Sequence, residues 1–391
     1  MKKLELVNQK EMLDVFCKTI AIKSMSPLSG GTGESKRADY LEKLLKNWGF
    51  KPTRYDYKDK SGVIRSSVAV KYGGKKRTLW LLAHIDTVSE GDQSLWKTDP
   101  FKAVIKDGKV YGRGTNDDGG GAIAALFALK SLVKQKQNLK YNVGIVLAAD
   151  EENGSEYGVY ALLKEHIFKK NDLFVVPDSG NPKGSVIEIE EKHLLWVKIT
   201  VIGKQVHASR PWLGLNAFKE ASDFALKADK LLHLKYDKKT KLMPEGSTFE
   251  MTKHDKNVDS INILPGREVF YFDCRIIPEY NPSEVINDLK RLASKQKAKI
   301  IINTAQREDA ANPTSEKSEV VRILSKAIKE ELKVVPRAIA IGGGTVAKPL
   351  RTAGFEAAVW RIEDNVSHQP NEYVKISALN GMINVLQRLY L

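Results

Sequence analysis

Residues 77–86 read RTLWLLAHID, an apolar run that closes on a histidine and an aspartate two positions apart. In a strand, residues two apart share a face, so His84 and Asp86 would stand side by side at its end. The pattern recurs at YNVGIVLAADEE (141–152) and DLFVVPDSG (172–180), each apolar and each running into carboxylates. Between them GGGAIAALFALKSLVKQ (119–135) and YALLKEHIF (160–168) are patterned as helices. Strands alternating with helices predict an α/β fold on a parallel or mixed sheet, with ligands bound outside the carboxyl ends of the strands. His84 and the acidic residues gather at that edge.

From Leu194 to Asn303 the rhythm changes. Strand HLLWVKITVIG (193–203) leads to helix NAFKEASDFALKADKLLHL (216–234), strands STFEMTKH (247–254) and EVFYFDCRII (268–277), helix SEVINDLKRLASK (283–295) and strand AKIIIN (298–303). This βαββαβ order predicts a ferredoxin-like α+β domain inserted at 193–304. The first domain, 1–192, then resumes over 305–391 with helix SEVVRILSKAIKEEL (318–332), loop IGGGT (341–345), strand FEAAVWRI (355–362) and a last helix in SALNGMINVLQRLYL (377–391). Two domains also suit the length of 391 residues, since one domain usually takes about 100–200.

No long apolar run interrupts the chain, which argues for a soluble globular protein with no membrane partner. Two cysteines, Cys17 and Cys274, cannot build a disulfide framework and fit the cytoplasm. The N-terminal segment MKKLELVNQKEMLDVFCKTIAIKS has charges where a signal peptide needs a continuous apolar core, and reads as an amphipathic helix. A net charge of +15 raises the question of nucleic acid. The lysines, however, are dispersed, without the interleaved arginines and aromatics of single-strand binders, so no nucleic-acid partner is expected.

Five groups carry the chemistry. His84 and Asp86 pair an imidazole with a carboxylate able to fix its tautomer, although H-x-D alone is as simply a structural histidine. GRGTNDDGGG (112–121) places Asp117 and Asp118 before a glycine cluster; a turn and an N-cap would explain them, as would a carboxylate bridging two cations. Its glycines lack dinucleotide-binding spacing. Asp150, Glu151 and Glu152 end a strand with three carboxylates that repel unless solvent or cations neutralise them. Asp178 ends the next strand, and His368 lies in NVSHQPNEY (365–373). Together they offer two histidines and three carboxylates at one sheet edge, a mixed N and O set that suits zinc, with cobalt or manganese as substitutes.

The motifs HIDTV, GRGTNDD, DEENGS, VPDSG, VHASRP and SHQPNEY, in this order, resemble those of the di-zinc exopeptidases and deacylases that include acetylornithine deacetylase, succinyl-diaminopimelate desuccinylase, glutamate carboxypeptidase and several dipeptidases. The resemblance spans nearly the whole chain. It implies a zinc-exopeptidase-like catalytic domain with a mixed sheet, and an inserted domain that serves as lid and dimerisation surface of a homodimer. It further implies two divalent metal ions, with His84 and Asp178 on one, Glu152 and His368 on the other, and Asp117 on both. Glu151 falls at the general base, Asp86 at the residue that orients the metal-bound histidine, and Asp117–Asp118 at a peptide bond that is often cis.

By the same resemblance His207, in GKQVHASRP (203–211), is the lid histidine that reaches the partner subunit's active site and polarises the scissile carbonyl. Asn262 and Arg275 hold substrate. Gly343, Gly344 and Thr345 belong to a loop that cradles a substrate carboxylate. The implied activity is hydrolysis of the amide bond of small peptides or, alternatively, of N-acyl amino acids, with a non-catalytic binding protein on the same fold as a remote alternative. Asp rather than Glu at position 178 favours peptides. One departure stands out: relatives commonly carry lysine where this chain has Gly119.

Overall fold

A computed structural model describes residues 7–134 and 138–391. Residues 1–6, with the first lysines of the N-terminal segment, and Gln135, the last residue of the 119–135 helix read from sequence, lie outside the described residues. The chain divides into a larger unit, Met1–Ile189 with Asn312–Ala338 and Gly344–Leu391, and a smaller unit, Glu190–Ala311 with Ile339–Gly343. The short segment Ile339–Gly343 thus groups with the smaller unit although it lies far along the chain.

In chain order the strands that form the two main sheets are β1 (Thr53–Lys58), β2 (Ile64–Tyr72), β3 (Thr78–His84), β4 (Asn142–Ala148), β5 (Leu173–Asn181), β6 (Val186–Glu191), β7 (His193–Ile202), β8 (Thr248–His254), β9 (Arg267–Ile276), β10 (Lys299–Glu308), β11 (Arg337–Ile341) and β12 (Ala357–Ile362). The principal helices are α1 (Gln9–Ala21), α2 (Ser35–Asn47), α3 (Gly120–Lys134), α4 (Ala217–Tyr236), α5 (Pro282–Ala293), α6 (Glu319–Leu332) and α7 (Ile376–Arg388). None of the described helices is long and apolar enough to cross a membrane.

The large sheet has eight strands in the order β1-β2-β4-β3-β5-β12-β6-β11 and is mixed. Every residue of β3 and β4 is buried, which is why both read as unbroken apolar runs: a strand covered on both faces has no polar side to show. β3 runs parallel to β4, with His84 opposite Ala148, and also parallel to β5, so their carboxyl ends finish at one edge. β2 is antiparallel to β4, so its first residues lie at that same edge. α3 is buried all round from Gly120 to Leu129, as befits a core helix. Its first turn approaches β5 closely: a Cβ on Gly121 would stand 2.3 Å from the Pro177 carbonyl oxygen, so only glycine fits.

The smaller unit follows the βαββαβ order, with a four-stranded antiparallel sheet ordered β8-β9-β7-β10. Alternate residues Leu195, Val197 and Ile199 of β7 and Phe272 and Cys274 of β9 bury one face against Phe224 and Leu232 of α4 and Leu289 of α5. Both helices start on an asparagine whose side chain accepts from free backbone N–H groups: Asn216 from Phe218 and Lys219, and Asn281 from Ser283.

Candidate active site

His84 is fully buried at the end of β3. Its Nδ1 lies 3.1 Å from the Asp86 carbonyl oxygen and 3.4 Å from the Asp86 carboxylate, so Nδ1 carries a proton and Nε2 is the atom turned to the other acidic residues. Asp86 does more than orient the imidazole. Its Oδ1 accepts the backbone N–H of Glu151 at 3.1 Å and its Oδ2 that of Glu152 at 3.2 Å. One carboxylate thereby ties the end of β3 to the turn after β4. That turn is made by Asp150 in the left-handed conformation, φ 66°.

Asp117 sits on an irregular turn ahead of α3, and the Asp117–Asp118 peptide is cis. The turn is clamped by Glu372, fully buried, which accepts the N–H groups of Gly114 at 3.0 Å, Asn116 at 2.7 Å and Asp117 at 3.0 Å. Gly119 has no space for a side chain, since a Cβ there would lie 2.3 Å from the Gly114 carbonyl oxygen. The absent lysine is therefore a consequence of close backbone approach in this chain.

These elements bring together all five residues read from sequence as ligands. His84 Nε2 lies 3.0 Å from Asp117 Oδ1 and 3.8 Å from Asp178 Oδ1. His368 Nε2 lies 3.2 Å from Asp117 Oδ2 and 3.3 Å from Glu152 Oε2. Glu151 Oε2 stands 3.9 Å from His84 Nε2. Among the described residues, two groups have ligand atoms mutually within 4.8 Å: His84, Asp117 and Glu152, and His84, Asp118 and Asp178. Asp118 is already engaged, since its Oδ2 accepts the His84 backbone N–H at 3.3 Å and its Oδ1 lies 3.3 Å from Arg361 Nη1. It is a support, and Asp178, also buried, is the carboxylate of that group left to take a cation.

The charges show why such a cluster suits cations. Burial, reinforced by repulsion from Asp178 and Glu152 against a counter-pull from His84, holds Glu151 well above the usual carboxylate range. Burial likewise pushes Asp178 up to about 7. Asp117 goes the other way: burial would raise it, but hydrogen bonds with His368 and His84 hold it well below. Hydrogen bonds to Asp117 and Glu152 push His368 up to about 10. His84 is also raised, because its bonds to Asp117 and Asp86 outweigh burial. Carboxylates forced toward neutrality beside imidazoles sharing a carboxylate are groups that a divalent cation would return to their ligating forms. The donor set fits metal ions.

In the smaller unit, Val206–His207 pairs with Ile263–Leu264, with His207 opposite Ile263, and the Ala208 N–H donates to the Asn262 carbonyl at 2.8 Å. His207 is exposed. The Ser209 N–H reaches its Nδ1 at 3.2 Å, which leaves the proton on Nε2. Arg275 grips Asp273 through Nε at 2.7 Å and Nη2 at 3.1 Å, and its Nη1 donates to the Gly342 carbonyl at 3.2 Å. A Cβ at Gly343 or Gly344 would meet nothing, so those backbone groups are open. Thr345 is buried, and its hydroxyl accepts the Ala347 N–H at 3.2 Å.

Three residues with structural claims on the site escaped the sequence reading. Glu372 lies inside the SHQPNEY motif, four positions after His368, and a carboxylate so placed was a readable signal. Arg361 and Arg65 are single arginines on strands, with nothing local to mark them. Their roles arise from sheet order.

Residues 80–391 match peptidase family M20/M25/M40. An uncharacterised metallohydrolase of Methanococcus maripaludis is 39% identical, covering 96% of this chain and 97% of the relative. A succinyl-diaminopimelate desuccinylase of Buchnera aphidicola is 29% identical, covering 96% of each. Among solved structures, a tripeptidase of Staphylococcus aureus shares the fold with a TM-score of 0.77 at 18% identity, covering 98% of each chain. With a family match over most of the chain and a candidate metal-binding cluster at the expected sheet edge, the chain belongs to peptidase family M20/M25/M40 and is a metal-dependent hydrolase of amide bonds.

Proposed function

We propose that this enzyme hydrolyses the amide bond of small peptides using two divalent ions, zinc foremost, with cobalt or manganese as substitutes. The observation that carries the reading is Asp117, whose two oxygens face His84 and His368 separately, as a bridging ligand requires. On this reading His84 and Asp178 hold one ion, Glu152 and His368 the other, and Asp117 both. When bound, the ions supply an acidified water and a polarised substrate carbonyl.

The protein's own groups do the rest. Glu151 takes the proton of the attacking water on its carboxylate and passes it to the leaving nitrogen, a role suited to a carboxylate whose burial raises its affinity for protons. Asp86 holds the His84 ring and the backbone of the turn bearing Glu151. His207, reaching the active site of a second copy, donates a hydrogen bond from Nε2 to the carbonyl oxygen as negative charge grows there. Asn262 and Arg275 help hold the substrate, and the loop of Gly343, Gly344 and Thr345 cradles a substrate carboxylate.

A second reading, an N-acyl amino acid deacylase, draws support from the desuccinylase relative. The smaller unit would pair two copies in a homodimer: α4 shows Phe218 and Leu226 to solvent, 56% and 68% exposed. The cytoplasm remains the proposed location. The test is a panel of free-amine dipeptides against N-acetyl and N-succinyl amino acids, each with Zn, Co or Mn and with a chelator. Chelator-sensitive cleavage of dipeptides supports the first reading, cleavage of acylated substrates alone replaces it with the second, and no cleavage of any amide removes both.

A further inference from the structure

β2 is the one strand beside β4 that runs against it, so it carries its opening residues to the edge where β3, β4 and β5 end. Arg65 is the second residue of β2. Its side chain is 3% exposed and meets three carboxylates. Nε lies 3.1 Å from each oxygen of Glu34, Nη2 lies 2.9 Å from Glu34 Oε2, and Nη1 donates to Asp150 Oδ1. Nη2 also stands 3.9 Å from Asp86 Oδ2. Glu34 is itself fixed, accepting the Ser66 N–H at 2.8 Å.

Asp150 and Asp86 are the two groups that hold the Glu151 backbone. Asp150 precedes Glu151 directly and makes the left-handed turn, its Oδ2 accepting the Tyr157 N–H at 2.9 Å. Asp86 accepts the N–H groups of Glu151 and Glu152. The Glu151 carboxylate lies 3.9 Å from His84 Nε2, beyond hydrogen-bond range, so its location depends on that backbone. We propose that Arg65, locked by Glu34, is a positioning residue for the general base: one planar guanidinium sets Asp150 and faces Asp86, and so fixes the turn that presents Glu151. The proposal rests on Glu151 being the base. Lysine would keep the charge but lose the fork that spans Glu34 and Asp150 together. A displacement of the base by about 1 Å is enough to cost about 100-fold in rate.

The test compares Arg65→Lys, Glu34→Gln and the wild type on a substrate the wild type cleaves, after loading with zinc and counting bound metal. Arg351→Lys is the control. Arg351 is as buried as Arg65 and pairs with Glu188 of β6, on the far side of β3 and β5 from β2. The expected result is a kcat about 10- to 100-fold lower for Arg65→Lys, KM within about threefold and metal content unchanged, with a smaller loss of kcat for Glu34→Gln. Backbone amide exchange at 150–152 should quicken in both and stay as in the wild type for Arg351→Lys. A kcat within twofold of wild type, or a loss confined to stability or metal content as in the control, overturns the proposal. If Arg65→Lys does not fold, Glu34→Gln decides: lowered kcat with quicker exchange at 150–152 supports it, and unchanged values overturn it. A wild type inert toward every amide overturns this inference together with the functional reading, whereas an active wild type with unaffected variants overturns this inference alone.

Discussion

Asp117 Oδ2 lies 3.2 Å from His368 Nε2, while the other oxygen of the same carboxylate lies 3.0 Å from His84 Nε2. Both histidines therefore favour protons when no ion is bound, His368 up to about 10. Ion binding has to displace those protons. Zinc titration of chelator-stripped protein at pH 7 should release about one to two protons per chain, read by calorimetry in two buffers of different ionisation enthalpy. Affinity should fall as pH falls. Asp117→Asn should lower the bound metal at both positions, and a full metal complement in that variant would remove Asp117 as the bridge.

Glu151→Gln keeps the size of the side chain and removes its basicity. Metal content should stay at the wild-type level while kcat falls roughly 100- to 10,000-fold. Normal turnover would show that another group accepts the water's proton.

His207→Ala should slow turnover by about 100-fold or more with no change in bound metal, because a donor to the developing oxyanion acts only in the transition state. Its exposure in the smaller unit makes a folding defect from this change small. Steady-state kinetics beside a thermal melt separates the two, and wild-type kcat would make the histidine structural.

Gly119→Lys restores the residue that relatives commonly carry, yet the Gly114 carbonyl oxygen occupies the space. The variant should lose about 1–3 kcal/mol of stability by overpacking. A urea melt reads this, and stability equal to wild type would show that the turn adjusts freely.

Glu319 opens α6 and accepts from Tyr141 Oη at 2.6 Å and Arg77 Nη1 at 2.9 Å. The bond from Tyr141, opposed by some desolvation and aided by Arg77, holds its pKa below the ordinary glutamate value of 4.5. A depressed folded pKa means the stabilisation is present above about 4.5 and is lost as pH falls through the folded value. With the side chain 31% exposed, Glu319→Gln should cost less than about 1 kcal/mol at pH 7, a difference that is smaller at pH 3. Denaturant midpoints at the two pH values check it, and an equal gap at both would assign the effect to shape.

Much of this was legible in the chain because strands buried on both faces announce themselves. RTLWLLAH and NVGIVLA are continuous apolar runs since β3 and β4 have no solvent side, and the carboxylates that follow mark their ends at one edge. The order of strands and helices from His193 to Glu308 was equally plain from its change of period. His84, Glu151, Glu152 and Asp178 stood out at the ends of apolar runs, whereas Asp117 and His368 stood out only through the motifs GRGTNDD and SHQPNEY.

Tertiary structure alone decided which of them meet and what holds them. Nothing local tells that Asp86 serves the backbone of Glu151, that Glu372 clamps the Asp117 turn, or that Arg65 stands beside Asp150. Each of these contacts joins segments distant in sequence, and depends on the order β2-β4-β3-β5 and on β2 running antiparallel. The residue types and periods in the sequence specify strands, helices and the chemistry available at their ends. Which end faces which is set by packing the whole sheet, because burying a carboxylate is tolerable only where a distant partner arrives to satisfy it.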